Sequence, residues 1–148
     1  MEPRFDQKDY RHEFRYWVRS HECDRMGVVH NARYLEILEI ARIEYCRDVL
    51  ALPMDHGTFS EHHRFFFARN AMDYYIPARF DDELLILTRV AALGKTSVRI
   101  EQIINDCDTG ARVLEAEAVM VMVDDVQNRP KDLDPDLRER VRQFEHLD

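Results

Sequence analysis

Asp24, Gly27 and Asn31 fall within one short stretch, Asp24-Arg25-Met26-Gly27-Val28-Val29-His30-Asn31-Ala32-Arg33-Tyr34, directly ahead of a strongly apolar helix. A helix start carries N–H groups with no partner inside the helix. It also carries about half a positive charge from its aligned peptide dipoles. An anion that develops there is stabilised. A fixed carboxylate beside such an oxyanion site suits acyl transfer, with Asp24 as base or nucleophile. Gly27, between the carboxylate and the helix, suggests a positive φ or a close approach of substrate.

The elements around this stretch must hold it in place. Glu13-Phe14-Arg15-Tyr16-Trp17-Val18-Arg19 is rich in aromatic and β-branched residues and reads as a first strand. Asn31 is a good N-cap, and a helix is expected from Ala32 to about Leu50. At 100° per residue, Tyr34, Leu35, Ile37, Leu38, Ala41, Tyr45, Cys46 and Val49 fill one apolar arc that only Arg42 interrupts. The opposite side carries Ile40, Ile43 and Leu50 among Arg33, Glu36, Glu44 and Arg47. The inner arc calls for a sheet, and the three outer apolar residues call for cover from another subunit.

Ala51 to His63 reads as an irregular loop. Four strand-like runs follow, Arg64–Ile76, Glu83–Leu93, Lys95–Asn105 and Ala111–Val123, bounded by Pro77, Gly94, Asp106 to Gly110 and Asp124-Asp125. In the last run the small Ala116 and Ala118 let a helix lie close. Asp134-Pro135 opens a short terminal helix, to about Phe144. Tight connections among the last four strands predict an antiparallel meander. One long helix against a curved antiparallel sheet is an α+β solution. A single domain is expected over residues 11–146, after a loose polar segment over residues 1–10.

The 148 residues suffice for one real core. With 45% apolar and 34% charged residues the chain is neither disordered nor membrane-embedded by composition. A net charge of −8 argues against nucleic-acid binding, which needs a basic surface. Cys23, Cys46 and Cys107 form no disulfide framework or CxxC pair, which fits a reducing compartment. The N-terminus has no apolar run of a signal peptide, and no stretch reaches the ~20 apolar residues of a membrane span. A cytoplasmic protein is expected.

The order of elements, together with Glu22 to Tyr34 and Glu39-Ile40-Ala41-Arg42-Ile43-Glu44, resembles the hotdog-fold acyl-CoA thioesterases of the 4-hydroxybenzoyl-CoA thioesterase type. The first stretch is similar to that family's D-x-D-x-x-G-x-V-x-[HN]-x-x-Y, and the second to its E-x-A-R-x-E. Asp73 to Asp82 resembles its Y-x-x-P-A-x-x-x-D turn, and Lys95-Thr96-Ser97 its strand-opening serine segment. The resemblance spans about Glu13 to Asp124. It implies a hotdog fold, a long central helix wrapped by a curved five-stranded antiparallel sheet. It also implies active sites at dimer interfaces, with a homodimer assembling to a homotetramer. Asp24 falls on the family's catalytic aspartate, and the Asn31 N–H would meet the thioester carbonyl. Acyl-CoA is the implied substrate, with an acyl carrier protein thioester as the alternative donor and a non-catalytic acyl-CoA-binding protein as the alternative class. A hotdog dehydratase is disfavoured by the lack of a D-x-N-P-x-H signature. Glu22 stands where the family has an aspartate, and His30 where relatives carry tyrosine, tryptophan or asparagine.

Each residue also has a plainer reading. Asp24 without the family pattern reads first as a helix-entry or turn residue, and His30 either lines the site or caps the helix. Tyr34 and Phe65, Phe66 and Phe67 are core residues that help shape an acyl pocket. Arg79, Lys95 and Ser97 are candidates for the CoA phosphates, with a solvated loop as the alternative. Arg42 is expected as a buried charge paired with Glu39, Glu44 or an acid of a second subunit. Cys23 has no orienting base in sequence, which disfavours a nucleophilic thiol. His21, Glu22, His62 and His63 match no zinc pattern, and no metal or other cofactor is expected.

Overall fold

The computed structural model describes residues 1–52, 54–55, 58–59 and 64–148. In chain order the elements are β1 (His12–Trp17), α1 (Asn31–Tyr45), β2 (Met54–Asp55), β3 (Thr58–Phe59), β4 (Arg64–Tyr74), β5 (Glu83–Leu93), β6 (Ser97–Asp106), β7 (Arg112–Val123) and α2 (Pro135–Glu145). Among the described residues strands β2 and β3 pair only with each other. The other five form one antiparallel sheet in the order β1-β5-β6-β7-β4. Most of the stretch expected as a loop, and both His62 and His63, lie outside the described residues.

The sheet curls around α1, as the resemblance implies. Tyr34, Ile37, Leu38 and Ala41 of the helix are buried against Leu84 and Ile86 of β5, Ile104 of β6, and Leu114 and Ala116 of β7. Each large apolar side chain buried there contributes about 1.5–3 kcal/mol. Gln102 is the polar tie across this layer. Its amide donates to the Leu38 carbonyl at 3.1 Å and to Thr88 Oγ1 at 3.0 Å.

The strand order corrects the expected meander. Strands β5, β6 and β7 do run as one, but β4 pairs with β7 at the far edge rather than with β5. The Tyr75–Asp82 connection therefore crosses the end of the sheet, about three strand spacings or roughly 14 Å. It passes beneath the start of α1, where Ala78 N–H donates to the Tyr34 hydroxyl at 3.0 Å and the Ala78 carbonyl accepts from Val29 N–H at 2.8 Å.

The helix also departs from expectation at both ends. His30, not Asn31, is the N-cap, and its Nδ1 accepts from Ala32 N–H at 3.2 Å. Its backbone is extended, with φ −65° and ψ 139°, while Asn31 is already helical. At the other end the chain widens into a π-turn over Cys46–Leu50, closed by Ala51 at φ 50°. That turn breaks the period of 100° per residue and swings Leu50 inward. Leu50 is buried with Val49, Leu133, Leu137 and Val141, so it needs no second subunit to cover it. Leu35, placed on the inner arc, is instead exposed, as is Ile40.

The first ten residues are not loose along their whole length. Glu115, fully buried on the outer sheet face, accepts from the backbone N–H groups of Arg4 and Phe5 and from the Tyr75 hydroxyl. Phe5 and Tyr10 pack on Leu87 and Ile103. A buried carboxylate needs such donors to offset its desolvation. No helix among the described residues is long and apolar enough to cross a membrane.

Candidate active site

The stretch ahead of α1 folds into a small hairpin. Cys23 and Val29 form an antiparallel bridge, and Asp24 N–H donates to the Val28 carbonyl at 2.9 Å. Asp24 Oδ1 accepts from Met26 N–H at 2.8 Å, which holds the tip as an Asx-turn. The second carboxylate oxygen takes no partner among the described residues, and Asp24 is exposed. Gly27 has φ +76°, the left-handed region that disfavours other residues. A Cβ added there would meet nothing within 4 Å, so the glycine serves the turn and not a close contact.

The hairpin returns directly into the helix. His30 N–H donates to the Glu22 carbonyl at 2.9 Å, and Asn31 follows as the first helical residue. Asn31 is exposed, and its N–H has no protein partner among the described residues. One end of the molecule thus presents a carboxylate and the unpaired N–H of a helix start, joined by a closed hairpin.

Glu22 anchors this hairpin, a role that sequence reasoning did not assign. Its buried carboxylate accepts from Arg19 N–H at 2.7 Å and from the Tyr16 hydroxyl at 2.8 Å. Burial first, and then this hydrogen bond to a carboxylate, push the Tyr16 phenol up to about 12. The departure from aspartate at Glu22 was the available signal, because the longer side chain reaches back to the strand end.

The remaining candidates divide. Tyr34 is buried in the core, in edge-to-face contact with Tyr74, and holds the crossing segment at Ala78 rather than lining an open pocket. The Cys23 thiol is pushed above its ordinary value by burial, then by Glu22 and Asp24, which keeps it protonated and unsuited to attack. Phe65 and Phe67 line a cavity of about 230 Å³ between α1, β4 and α2. Phe66 points to the opposite face, exposed beneath the Arg64 guanidinium at 5.5 Å, so it is neither core nor pocket. Arg42 is buried and donates to Gln102 Oε1 at 2.9 Å; among the described residues no carboxylate of this chain forms an ion pair with it, although the charge of Glu39 acts on it. Arg79 stands by the hairpin through the Val28–Arg79 bridge. Lys95 and Ser97 sit at the other end of β5, where Ser97 closes a turn on Gly94. Among the described residues no three His, Cys, Asp or Glu side chains stand together as a metal site.

A five-stranded antiparallel sheet packed on one long central helix is the architecture of the hotdog thioesterases. The chain belongs to the thioesterase-like superfamily, whose family model matches residues 18–141. It is 34% identical over 129 residues to the acyl-CoA thioester hydrolase YbgC of Escherichia coli, covering 81% of this chain and 89% of YbgC. Among solved structures it resembles a Thermus thermophilus thioesterase complexed with coenzyme A and Zn. That likeness has 30% identity and a TM-score of 0.76, over 90% of this chain and 93% of the other. The probable thioesterase YbaW of Escherichia coli is 26% identical with a TM-score of 0.72, over 88% and 96% of the two chains.

Proposed function

We propose that this protein is an acyl-CoA thioesterase: water and acyl-CoA give a carboxylic acid and CoA-SH. The observation that carries the reading is the hairpin that joins the exposed Asp24 carboxylate to the unpaired N–H at Asn31. The thioester carbonyl oxygen points at Asn31 N–H, where the helix dipole stabilises negative charge. Asp24 either removes a proton from a water that attacks the carbonyl carbon, or attacks that carbon itself to give a mixed anhydride that water then hydrolyses; in both routes the C–S bond breaks and the thiolate leaves and takes up a proton as CoA-SH. The YbgC relative, named for the same hydrolysis, supports this choice of substrate.

The complete site takes two copies of the chain. Strand β5 has 11 residues, and at about 3.3 Å per residue its ends stand roughly 30 Å apart. Arg79 lies beyond its first end, near Asn31, and Lys95 beyond its last. One CoA with its thioester at Asn31 therefore meets Arg79 of its own chain and Lys95 only from a second copy. Edge strand β4 is the natural joint, since among the described residues its outer edge is unpaired and Phe67 and Tyr74 on it are exposed, as are Leu35 and Ile40 of α1. The Lys95 end of the sheet lies at the Arg64 end of β4, through Met122 N–H on the Thr96 carbonyl and the Phe65–Met122 pair. Antiparallel pairing of β4 with its copy carries that end to the first chain's Asn31.

Asp24→Asn tests the assignment. Asparagine keeps the oxygen that accepts from Met26 N–H, so the hairpin survives while the base or nucleophile is lost. Thiol release from acyl-CoA should fall by at least ~10²-fold. Near wild-type turnover in a folded variant removes Asp24 from the chemistry.

A further inference from the structure

One residue decides which backbone donor is left free at the start of α1. The Arg33 N–H goes to the His30 carbonyl at 2.9 Å, and the Ala32 N–H goes to His30 Nδ1 at 3.2 Å. Asn31 N–H takes no protein partner among the described residues. His30 is itself held from the hairpin side, since its own N–H donates to the Glu22 carbonyl at 2.9 Å. Its carbonyl and its ring thus take two of the first three helix donors and leave the third open.

The ring can do this in one protonation state. A neutral imidazole has one acceptor nitrogen and one N–H. Nδ1 accepts here, so the proton sits on Nε2. A second proton turns Nδ1 into a donor facing the Ala32 N–H. It also sets a positive charge against the positive end of the helix dipole. Both effects oppose the cap. Asparagine, serine and threonine, which cap helices more often, offer an oxygen acceptor at every pH near neutrality. Histidine changes charge between about pH 5 and 8. His30 is exposed, so protons from solvent reach it.

The ionisable groups on the surrounding elements leave the ring to this one contact. In the hairpin the Glu22 carboxylate takes Arg19 N–H and the Tyr16 hydroxyl, Asp24 Oδ1 takes Met26 N–H, and burial keeps the Cys23 thiol protonated. On α1 the Arg33 guanidinium donates to the Glu36 carboxylate at 2.9 Å. The crossing segment brings Arg79 through the Val28–Arg79 bridge, with Asp82 accepting the Arg79 N–H at 2.8 Å. The carboxylates favour the charged ring and the two guanidinium groups oppose it.

We infer that His30 is a positioning residue for the hydrolysis: its neutral imidazole holds the first turn of α1 so that Asn31 N–H stays free for the carbonyl oxygen, and protonation of the ring releases that turn. This rests on the oxyanion role of Asn31 given above. An acid limb in the histidine range, above the range of carboxylates, is expected on kcat. It falls on kcat because the oxyanion forms only on the way through the transition state.

Two measurements test the role. Long-range proton–nitrogen NMR spectra of the ring at about pH 8 should show Nδ1 unprotonated and Nε2 protonated, and the Ala32 amide shift should titrate together with His30. Both are read without substrate, on Asp24→Asn as on the wild type, so they stand apart from the hydrolysis assignment. The pH profile of kcat for acyl-CoA hydrolysis reads the catalytic half. His30→Ala should lose about tenfold in kcat at about pH 8, with KM little changed, and should lack the histidine-range limb. His30→Asn restores an acceptor, so it should recover most of kcat and hold it flat through that range. A proton on Nδ1 of the neutral ring, an Ala32 shift indifferent to His30, a histidine-range limb that survives in His30→Asn, or wild-type kcat in His30→Ala overturns the proposal. Normal turnover by Asp24→Asn, with the spectra and the His30 profiles as expected, would place the error in the role of Asp24 and leave that of His30 standing.

Discussion

Replacing Glu22 by alanine removes the one carboxylate that ties the hairpin to the end of β1. Two donors lose their acceptor, Arg19 N–H at 2.7 Å and the Tyr16 hydroxyl at 2.8 Å. Each buried donor left without a partner costs about 1–3 kcal/mol. Tyr16 is half-buried and Arg19 exposed, so water can reach both donors and each share sits at the low end. The sum is a loss of about 2 kcal/mol, read from urea denaturation. The contact of His30 N–H with the Glu22 carbonyl is backbone to backbone and survives the change. The hairpin should therefore stay closed but loosen, and kcat should fall about tenfold through misplacement of Asp24. An independent readout follows from the hydrogen bond that raises the Tyr16 phenol: its titration should move down toward the ordinary value. A stability loss under about 1 kcal/mol, with the Tyr16 titration unmoved, would refute the anchoring role.

Gly27→Val should cost about 1–2 kcal/mol through the left-handed backbone alone, since open space meets the new side chain; Gly27→Asn, which tolerates that conformation, should retain most activity, and equal turnover by both variants would deny the turn its role. The Glu145 carboxyl accepts from the Tyr45 hydroxyl and Val90 N–H but is raised above its ordinary value by burial. A raised carboxyl contributes stability that is fully present below the ordinary value of 4.5 and is lost as pH rises through the folded-state value. Glu145→Gln should therefore lose less in Tm than the wild type between mildly acidic and neutral pH, as read by thermal denaturation. Lys95→Glu should raise KM for acyl-CoA more than it lowers kcat, leave short non-CoA thioesters unaffected, and matter less as salt screens the contact over roughly 8 Å; equal effects on both substrates would make Lys95 structural.

The elements were legible wherever the signal is local. The apolar period of Tyr34, Ile37, Leu38, Ala41 and Tyr45 marks α1 because a helix repeats within its own turns. Turn residues at Gly94 and Asp106 to Gly110 bound β5, β6 and β7 for the same reason. Asp24 and Gly27 were readable as a turn with a carboxylate, since both properties belong to a few consecutive residues. Parity was less secure. One bulge between Phe67 and Arg69 shifts the register of β4 against β7, and the outward side of Phe66 follows from pairing with Val121, not from composition.

Sequence alone thus determined the five strands of the main sheet, the helix, the carboxylate and the family, all encoded by neighbours in the chain or by an ordered motif, while the short β2–β3 pair lay in a stretch expected as a loop. Tertiary structure decided what depends on partners distant in sequence. Strand β4 crosses to β7 because Val29 and Tyr34 hold the Tyr75–Asp82 segment beneath the helix start. Leu50 turns inward because a π-turn resets the helical phase before α2 covers it. Arg42 meets an amide rather than an acid because β6 places Gln102, and not a carboxylate, opposite it. Such outcomes depend on which side chains the fold brings together, and no local period carries that information.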